Sequence, residues 1–376
     1  MRISIVGSAG IPANYGGFET LVQNLAEFHQ RYSLDLELVV YCSSKNYKVK
    51  LKRAMNSELR YLPVSANGVW SIPYDIISLL SAVRHRSDVI LLLGVSGAIA
   101  LPLVRLLSRA RIVTNIDGIE WKREKWRGLA KWFLRLSERM AVRLSHEVVA
   151  DNAGIAIHIS QSYERVANVI AYGGDHAFQI PGKTFEGKAL PHRYAFALCR
   201  IEPENNIGMI LEAFSSSTDL PLVFVGNWNN SAFGRELRHR YAGHTNLHLL
   251  DPIYDVGVLR TLRGNAYIYV HGHSAGGTNP SLVEMMHFGL PIFAYDCIFN
   301  RFTTEDGAIF FKDSESLSSR LLTLEADVAI QIGSNMRRIA HERYTWDGIG
   351  QAYFELLIGK KLDPAVSPPN LMRKCL

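Results

Sequence analysis

Short apolar runs alternate along this chain with longer stretches in which apolar positions recur every three or four residues. Residues 3–7, 36–42, 89–94, 112–116 and 147–150 read as strands, and 18–31, 74–84 and 129–145 as helices between them. A looser region follows at 173–192, rich in Gly, Pro and Lys. The pattern then restarts. Residues 194–199, 222–226, 247–250, 266–270 and 291–295 read as a second set of strands. Helices are predicted near 207–215, 234–241, 256–262, 281–288, 314–323 and 326–344.

Such βαβ alternation predicts parallel sheets covered on both faces. Two similar α/β halves leave a cleft between the carboxyl ends of two sheets, where open sheets of this kind bind ligands. Residues 89–104 carry no charge, but Gly94, Gly97 and Pro102 interrupt them and they are too short for a membrane span. They read as a buried strand, a glycine turn and a buried helix. From Lys360 onward the chain holds three prolines and little apolar pattern, and is expected to be poorly ordered.

Length and composition narrow the picture. The 376 residues suggest two domains, and 48% hydrophobic with 20% charged residues is ordinary for a globular chain. The formal net charge of +6 suits anionic partners such as nucleotide diphosphates or phospholipid headgroups. Cys42, Cys199, Cys297 and Cys375 lie far apart and form no CxxC pair, so neither a disulfide framework nor a zinc site is indicated and a reducing cytosol fits. The apolar run at the start is too short for a signal peptide.

The most informative tract is HGHSAGGTNPSLVEMMHFGLP, residues 271–291. A strand, a Gly-rich turn and a helix start present free backbone N–H groups, which suits a phosphate. Glu284, one or two turns into that helix, suits the hydroxyls of a ribose. Four other tracts follow strand ends. In GSAGIPANYGGFET (7–20), Gly16 and Gly17 would let backbone approach a bound group; the spacing is not GxGxxG. In RIEPENN (200–206), Arg200 offers a planar fork of donors for a diphosphate, or a surface salt bridge. In VGNWNN (225–230), Gly226 starts a turn from which Asn227 and Trp228 reach a base or sugar, unless the Trp simply packs. In NIDGIEWKREKW (115–126), Asp117 and Glu120 are candidates for acceptor binding or base work, or for capping the next helix.

Residues 121–143 hold eight Lys/Arg and two Glu, an excess equal to that of the whole chain. Arg127, Lys131, Arg135, Arg139 and Arg143 recur every four residues on one helix face. Leu129, Phe133, Leu136, Met140 and Leu144 form a separate apolar stripe expected to face the core. With Trp121, Trp126 and Trp132 nearby, the segment also fits an anionic membrane surface. No nucleic-acid module is recognisable. GxSxG, HExxH, P-loop and EF-hand spacings are missing, and no clustered DxD motif follows a strand, so no metal is expected.

In this order, GIPANYGGFETLV, DGIEWKREKW, RIEPENNI, VGNWNNS and HGHSAGGTNPSLVEMM resemble the retaining GT-B glycosyltransferases of family four. They look most like a bacterial branch that includes rhamnosyltransferases of capsule and O-antigen assembly. The resemblance implies an α/β GT-B fold, two Rossmann-like domains facing a central cleft. An acceptor-binding domain would span 1–175 and a nucleotide-sugar domain 176–345. A C-terminal helix at 346–360, with a path open back to the first domain, and a tail at 361–376 would complete the chain.

The resemblance further implies donor contacts from Gly16, Gly17, Arg200, Asn205, Gly226, Asn227, Gly276, Gly277, Thr278, Asn279 and Glu284. Asp117 and Glu120 would contact the acceptor, and Asp117 and Arg200 would serve the reaction itself. The family carries two glutamates eight positions apart; here the second is Glu284, while Gly276 stands at the first. The family's diphosphate lysine position holds Asn205. The implied activity moves a sugar with retention, best matched to L-rhamnose from dTDP-L-rhamnose. The implied acceptor is a lipid-linked oligosaccharide at the inner face of the bacterial plasma membrane, with the nucleotide sugar as co-substrate and no cofactor or metal. A non-hydrolysing nucleotide-sugar epimerase, a NAD-dependent oxidoreductase and a non-catalytic partner in polysaccharide assembly remain open as alternatives.

Overall fold

The computed structural model describes residues 1–13, 16–122, 127–187, 189–217 and 219–362. The expectations placed on residues 123–126 of the basic segment and on 363–376 of the tail lie outside the described residues. The chain divides into two compact units, one of Met1–Ala171 with Trp346–Leu376, the other of Tyr172–Thr345.

Among the described residues the first unit is built on eight strands: β1 (Arg2–Val6), β2 (Glu37–Ser43), β3 (Arg53–Ala54), β4 (Ser57–Leu62), β5 (Val89–Leu93), β6 (Arg111–Ile116), β7 (Glu147–Ala150) and β8 (Asn168–Val169). Their order in the sheet is β3-β4-β2-β1-β5-β6-β7-β8. Only β3 and β4 pair antiparallel; elsewhere the register is parallel, with Ile5 opposite Val40 on one side and Leu91 on the other. All five residues of β5 are buried, as a strand covered on both faces requires. The helices are α1 (Gly17–Arg31), α2 (Ser71–Arg84), α3 (Leu101–Leu107), α4 (Gly128–Leu144) and α5 (Ala153–Tyr163).

The second unit holds β9 (Ala195–Leu198), β10 (Leu222–Val225), β11 (Leu247–Leu250), β12 (Ile268–His271), β13 (Ile292–Tyr295) and β14 (Ile309–Phe311), all parallel, in the order β11-β10-β9-β12-β13-β14. Its helices are α6 (His176–Gln179), α7 (Ile207–Ser217), α8 (Ala232–Arg240), α9 (Val256–Gly264), α10 (Pro280–Met286), α11 (Ile298–Thr304), α12 (Ser314–Leu322) and α13 (Ala326–Arg343). Phe214, Phe224, Trp228 and Phe293 are fully enclosed in the core beneath them. The last helix, α14 (Trp346–Leu357), belongs to the first unit. Its Phe354 ring stacks on Phe28 of α1 at 5.7 Å between centroids, and Arg31 pairs with Asp347 at 2.6 Å.

Two expectations about helix faces are corrected. The helix after β5 is not buried: Leu101 and Val104 face the core, but Leu103, Leu106 and Leu107 of α3 are 45%, 81% and 58% exposed. Nor does the apolar stripe of α4 form its buried face. Leu134, Ser137, Glu138, Ala141 and Val142 are buried, while Leu129 is 85% exposed and Phe133, Leu136, Met140 and Leu144 are half-buried. The helix is turned by about one position because Glu138 is drawn inward. Its carboxylate accepts hydrogen bonds from Trp121 Nε1 (3.0 Å) and Tyr163 O–H (2.7 Å) and lies 2.9 Å from His158 Nε2.

Candidate functional site

In the second unit the chain runs from β9 outward through β10 to β11, then returns to place β12 on the other side of β9. The carboxyl ends of β9 and β12 therefore flank the point where strand order reverses, the usual ligand crevice of an open α/β sheet. The two tracts singled out in the sequence, 200–206 and 272–279, are the loops at those ends.

These loops are laced together. Asn206 Nδ2 donates to the Gly272 carbonyl at 2.8 Å, and Ser274 Oγ donates to the Glu204 carbonyl at 2.8 Å. Asn300 Nδ2 holds the His273 carbonyl at 2.9 Å. Asn227, in the loop after β10, accepts from the Ile201 backbone N–H at 2.7 Å and ties a third loop to the set. Gly226 is packed so closely against Ile201 that a Cβ there would collide with it. Asn205 is buried and donates to the Arg200 carbonyl at 2.7 Å, so it braces the loop that carries Arg200. Trp228, read as able to meet a base or sugar, is core instead: it is 0% exposed and its indole N–H donates to the Leu250 carbonyl at 3.0 Å.

Arg200 projects from this frame with half its side chain exposed, and among the described residues its guanidinium pairs only with Glu202, 3.8 Å away. So open an ion pair holds an arginine weakly. Gly276 has φ 109°, a conformation that bends the glycine loop and that an L side chain resists. Gly277 and Thr278 are buried behind it. Asn279 is the N-cap residue of α10, yet its side chain makes no capping bond. The helix itself is shorter than the 281–288 expected, so the amides of the glycine loop matter more than its dipole.

Glu284, on α10, is not a lone carboxylate. Its Oε2 is ion-paired with Arg263 of α9, whose side chain is 6% exposed, and its Oε1 lies 3.5 Å from His176 Nε2 of α6. Burial pushes the Glu284 carboxyl up, but Arg263 and then His176 outweigh it and hold the acid below its ordinary range. It is therefore anionic, oriented and enclosed. Neither partner was visible in the sequence, since they lie 21 and 108 positions away. His271 is buried and stacked on His273 at 4.3 Å; burial, then His273, keeps its pKa well below the usual histidine value, so the ring is neutral.

In the first unit β1 pairs with β2 on one side and β5 on the other, so strand order reverses there too. Gly7, just past β1, has φ 95°, and a Cβ there would strike the Leu93 carbonyl. Gly16 is the N-cap residue of α1 and Gly17 its first residue. Glu19 accepts from the Ala9 backbone N–H at 2.6 Å, and burial raises its pKa. Asp117, half-buried, follows β6, and Asp151, buried, follows β7; burial first, then the charges of Asp151 and Asp117, raise the pKa of the Tyr353 hydroxyl, which accepts from Asn115 Nδ2 at 2.5 Å. Glu120 is half-buried in the turn Glu120–Lys122. Neither acid caps α4, whose N-cap residue is Arg127 with no side-chain cap. Among the described residues, no three His, Cys, Asp or Glu gather as a metal site.

Residues 1–175 match the model of a domain of unknown function, DUF1972. No curated protein matches the chain. Solved structures match it nearly end to end. Sucrose-phosphate synthase from Thermosynechococcus elongatus aligns with a TM-score of 0.78 at 14% identity, over 94% of this chain and 98% of that one. Anabaena HepE in complex with UDP-glucose aligns with a TM-score of 0.70 at 16% identity, over 95% and 99%. The trehalose-6-phosphate synthase OtsA aligns with a TM-score of 0.70 at 9% identity, over 96% and 100%. At these identities the likeness establishes architecture, and with two parallel sheets of Rossmann-like topology the chain has the GT-B fold.

Proposed function

We propose that this protein is a nucleotide-sugar-dependent glycosyltransferase whose second unit binds the donor. One observation carries the reading: the loops after β9, β10 and β12 are tied into a single frame at the reversal point, presenting Arg200, the glycine loop 276–279 and the oriented Glu284. Arg200 and loop amides would take the pyrophosphate, and Glu284 the ribose hydroxyls. With one arginine and no lysine at Asn205, backbone N–H groups stabilise much of the leaving charge. That HepE was crystallised with UDP-glucose supports a nucleoside diphosphate sugar here.

The finer reading is transfer of L-rhamnose from dTDP-L-rhamnose, with retention and without a metal, to a lipid-linked oligosaccharide for O-antigen, capsule or exopolysaccharide. The acceptor would be held by the first unit, through Asp117 and Glu120, with Gly16 and Gly17 beside the donor. The protein would work in the bacterial cytoplasm against the inner face of the plasma membrane. The adjoining helices α3 and α4 support that location. Leu103, Leu106, Leu107, Leu129 and Trp132 are exposed there, interspersed with exposed Arg105, Lys131, Arg135, Arg139 and Arg143. Anionic headgroups match this mixture of cations and apolar side chains.

The test is incubation with dTDP-L-rhamnose, UDP-glucose and other nucleotide sugars, with lipid-linked saccharides, in the presence and absence of EDTA, read by mass spectrometry. A glycosylated acceptor that disappears with Arg200→Ala is expected. Donor conversion without acceptor would indicate an epimerase, and full turnover in both Arg200→Ala and Glu284→Ala would remove the site assignment.

A further inference from the structure

We propose that the second unit holds a separate site for a phosphate monoester, in the cleft along the outer edge of β14, with Lys312 and Arg320 as the cations that hold it. β14 ends its sheet and pairs with β13 alone among the described residues. The cleft has a volume of about 520 Å³ and is lined by Arg301 of α11, residues 308–311 along β14, and Ser316 and Arg320 of α12. That is room for a small molecule. An edge strand leaves backbone N–H groups unpaired, and a concave sheet edge of this kind favours anions. None of the residues assigned to the donor lines the cleft.

The charged groups in the cleft differ in what they are free to do. Asp296 accepts from Arg301 Nε at 2.6 Å and lies 3.6 Å from Lys312 Nζ. Arg301, and after it Lys312, outweigh burial and hold the Asp296 carboxyl below its ordinary range. Asp313 is engaged by α12, where it accepts from the Ser316 backbone N–H at 2.7 Å. Arg301 is fixed as well: it pairs with Asp306 at 2.8 Å, and its guanidinium lies over the Phe310 ring at 4.3 Å. Arg320 has no ion pair or hydrogen bond among the described residues. Lys312, with its side chain 75% exposed, has only the long contact to Asp296, and so open a pair is weak. Both acids are therefore committed, while Lys312 and Arg320 are not. A carboxylate would match one of these cations. A phosphate monoester, with nearly two negative charges at neutral pH, matches both, and its oxygens suit the arginine fork. Half-buried Phe310 gives the rest of the ester an apolar wall. This site does not depend on the glycosyltransferase reading.

Titration calorimetry on the whole protein tests it, with inorganic phosphate, glucose 1-phosphate and UMP as probes and methyl glucoside as the uncharged control. Wild type and Arg200→Ala are expected to bind at least one phosphate alike. Lys312→Ala with Arg320→Ala should weaken that binding at least about tenfold, and added salt should weaken it in wild type. Both side chains are exposed, so Tm should stay within about 2 °C of wild type. The tightest probe tells whether the ion alone, a sugar phosphate or a nucleotide is the source. No binding of any phosphate, equal affinity in the double variant, or methyl glucoside binding as tightly as the phosphates would overturn the proposal. Binding lost in Arg200→Ala but kept in the double variant would also overturn it, by placing the phosphate in the donor crevice. Phosphate binding that needs Lys312 and Arg320, in a protein that binds neither UDP nor dTDP at the crevice, would leave this site standing and remove the donor reading instead.

Discussion

Glu284 and Arg263 form an ion pair inside the second unit, the carboxylate from α10 and the guanidinium from α9, both largely withdrawn from water. The pair converts a flexible acid into an oriented acceptor. Removing one charge strands the other in a poorly hydrated place, which costs about 3–5 kcal/mol. Arg263→Met is therefore expected to lower the stability of the second unit by that amount. It should also weaken UDP or dTDP binding, measured by calorimetry, at least tenfold. Because the Glu284 pKa is depressed in the folded state, the pair's contribution is complete above the unfolded value of 4.5 and is lost as pH falls below it. A pair without functional meaning would leave nucleotide affinity unchanged in Arg263→Lys, which keeps the charge but not the fork.

Glu138 gives a second prediction. Trp121, Tyr163 and His158 all converge on its buried carboxylate, so Glu138→Ala leaves three half-buried polar side chains without this partner. A loss of about 2–4 kcal/mol is expected from thermal melts. Hydrogen exchange should quicken between residues 115 and 122, the segment that Trp121 anchors and that carries Asp117. Unaltered exchange there would separate Glu138 from the placement of that loop.

The buried side of α4 shows where sequence reading runs out. Leu129, Phe133, Leu136, Met140 and Leu144 form a helical stripe that hydrophobicity alone assigns to the core. The deciding residue is polar, and its partners lie 17 to 25 positions away. Strands such as Val89–Leu93 were legible because a parallel strand is apolar on both faces. Ser57–Leu62 was missed because half its positions are polar, and Ala153–Tyr163 because its small and apolar residues show little periodicity. Glycines and asparagines after strands marked the loops of the second unit correctly as strand-end turns. Asp75 was passed over because an acid in a helix reads as a solvated one, and only the path of β1 and β5 reveals its burial.

The Asp75 carboxyl should also shape stability against pH. In the unfolded chain it ionises near 3.8, whereas in the folded unit it holds its proton to about 8. Between those values the folded state binds more protons, so its stability declines as pH rises from about 4 to 8 and then levels off. Asp75→Asn removes this slope. At pH 8 the gain reaches up to about 6 kcal/mol, the shift from 3.8 to about 8 converted at about 1.4 kcal/mol per unit. Urea unfolding of both proteins at pH 5, 6.5 and 8 would show the two curves diverging; parallel curves would mean that Asp75 titrates normally.

The last prediction concerns α3 and α4. Leu106 and Leu129 are among the most exposed apolar residues of the protein, and such side chains beside exposed arginines are unfavourable in water yet suited to a headgroup layer. Each cation near an anionic leaflet contributes roughly 1 kcal/mol, so Lys131→Glu with Arg135→Glu should weaken binding to phosphatidylglycerol vesicles by two orders of magnitude or more. Leu106→Asp and Trp132→Asp should weaken it further at high salt, where screening leaves the apolar contribution dominant. Neither change touches the core of the unit, so melting temperatures should stay close to wild type. Co-sedimentation at low and high salt separates the two contributions. A wild-type protein that stays in the supernatant with these vesicles at low salt would assign the patch to something other than a membrane.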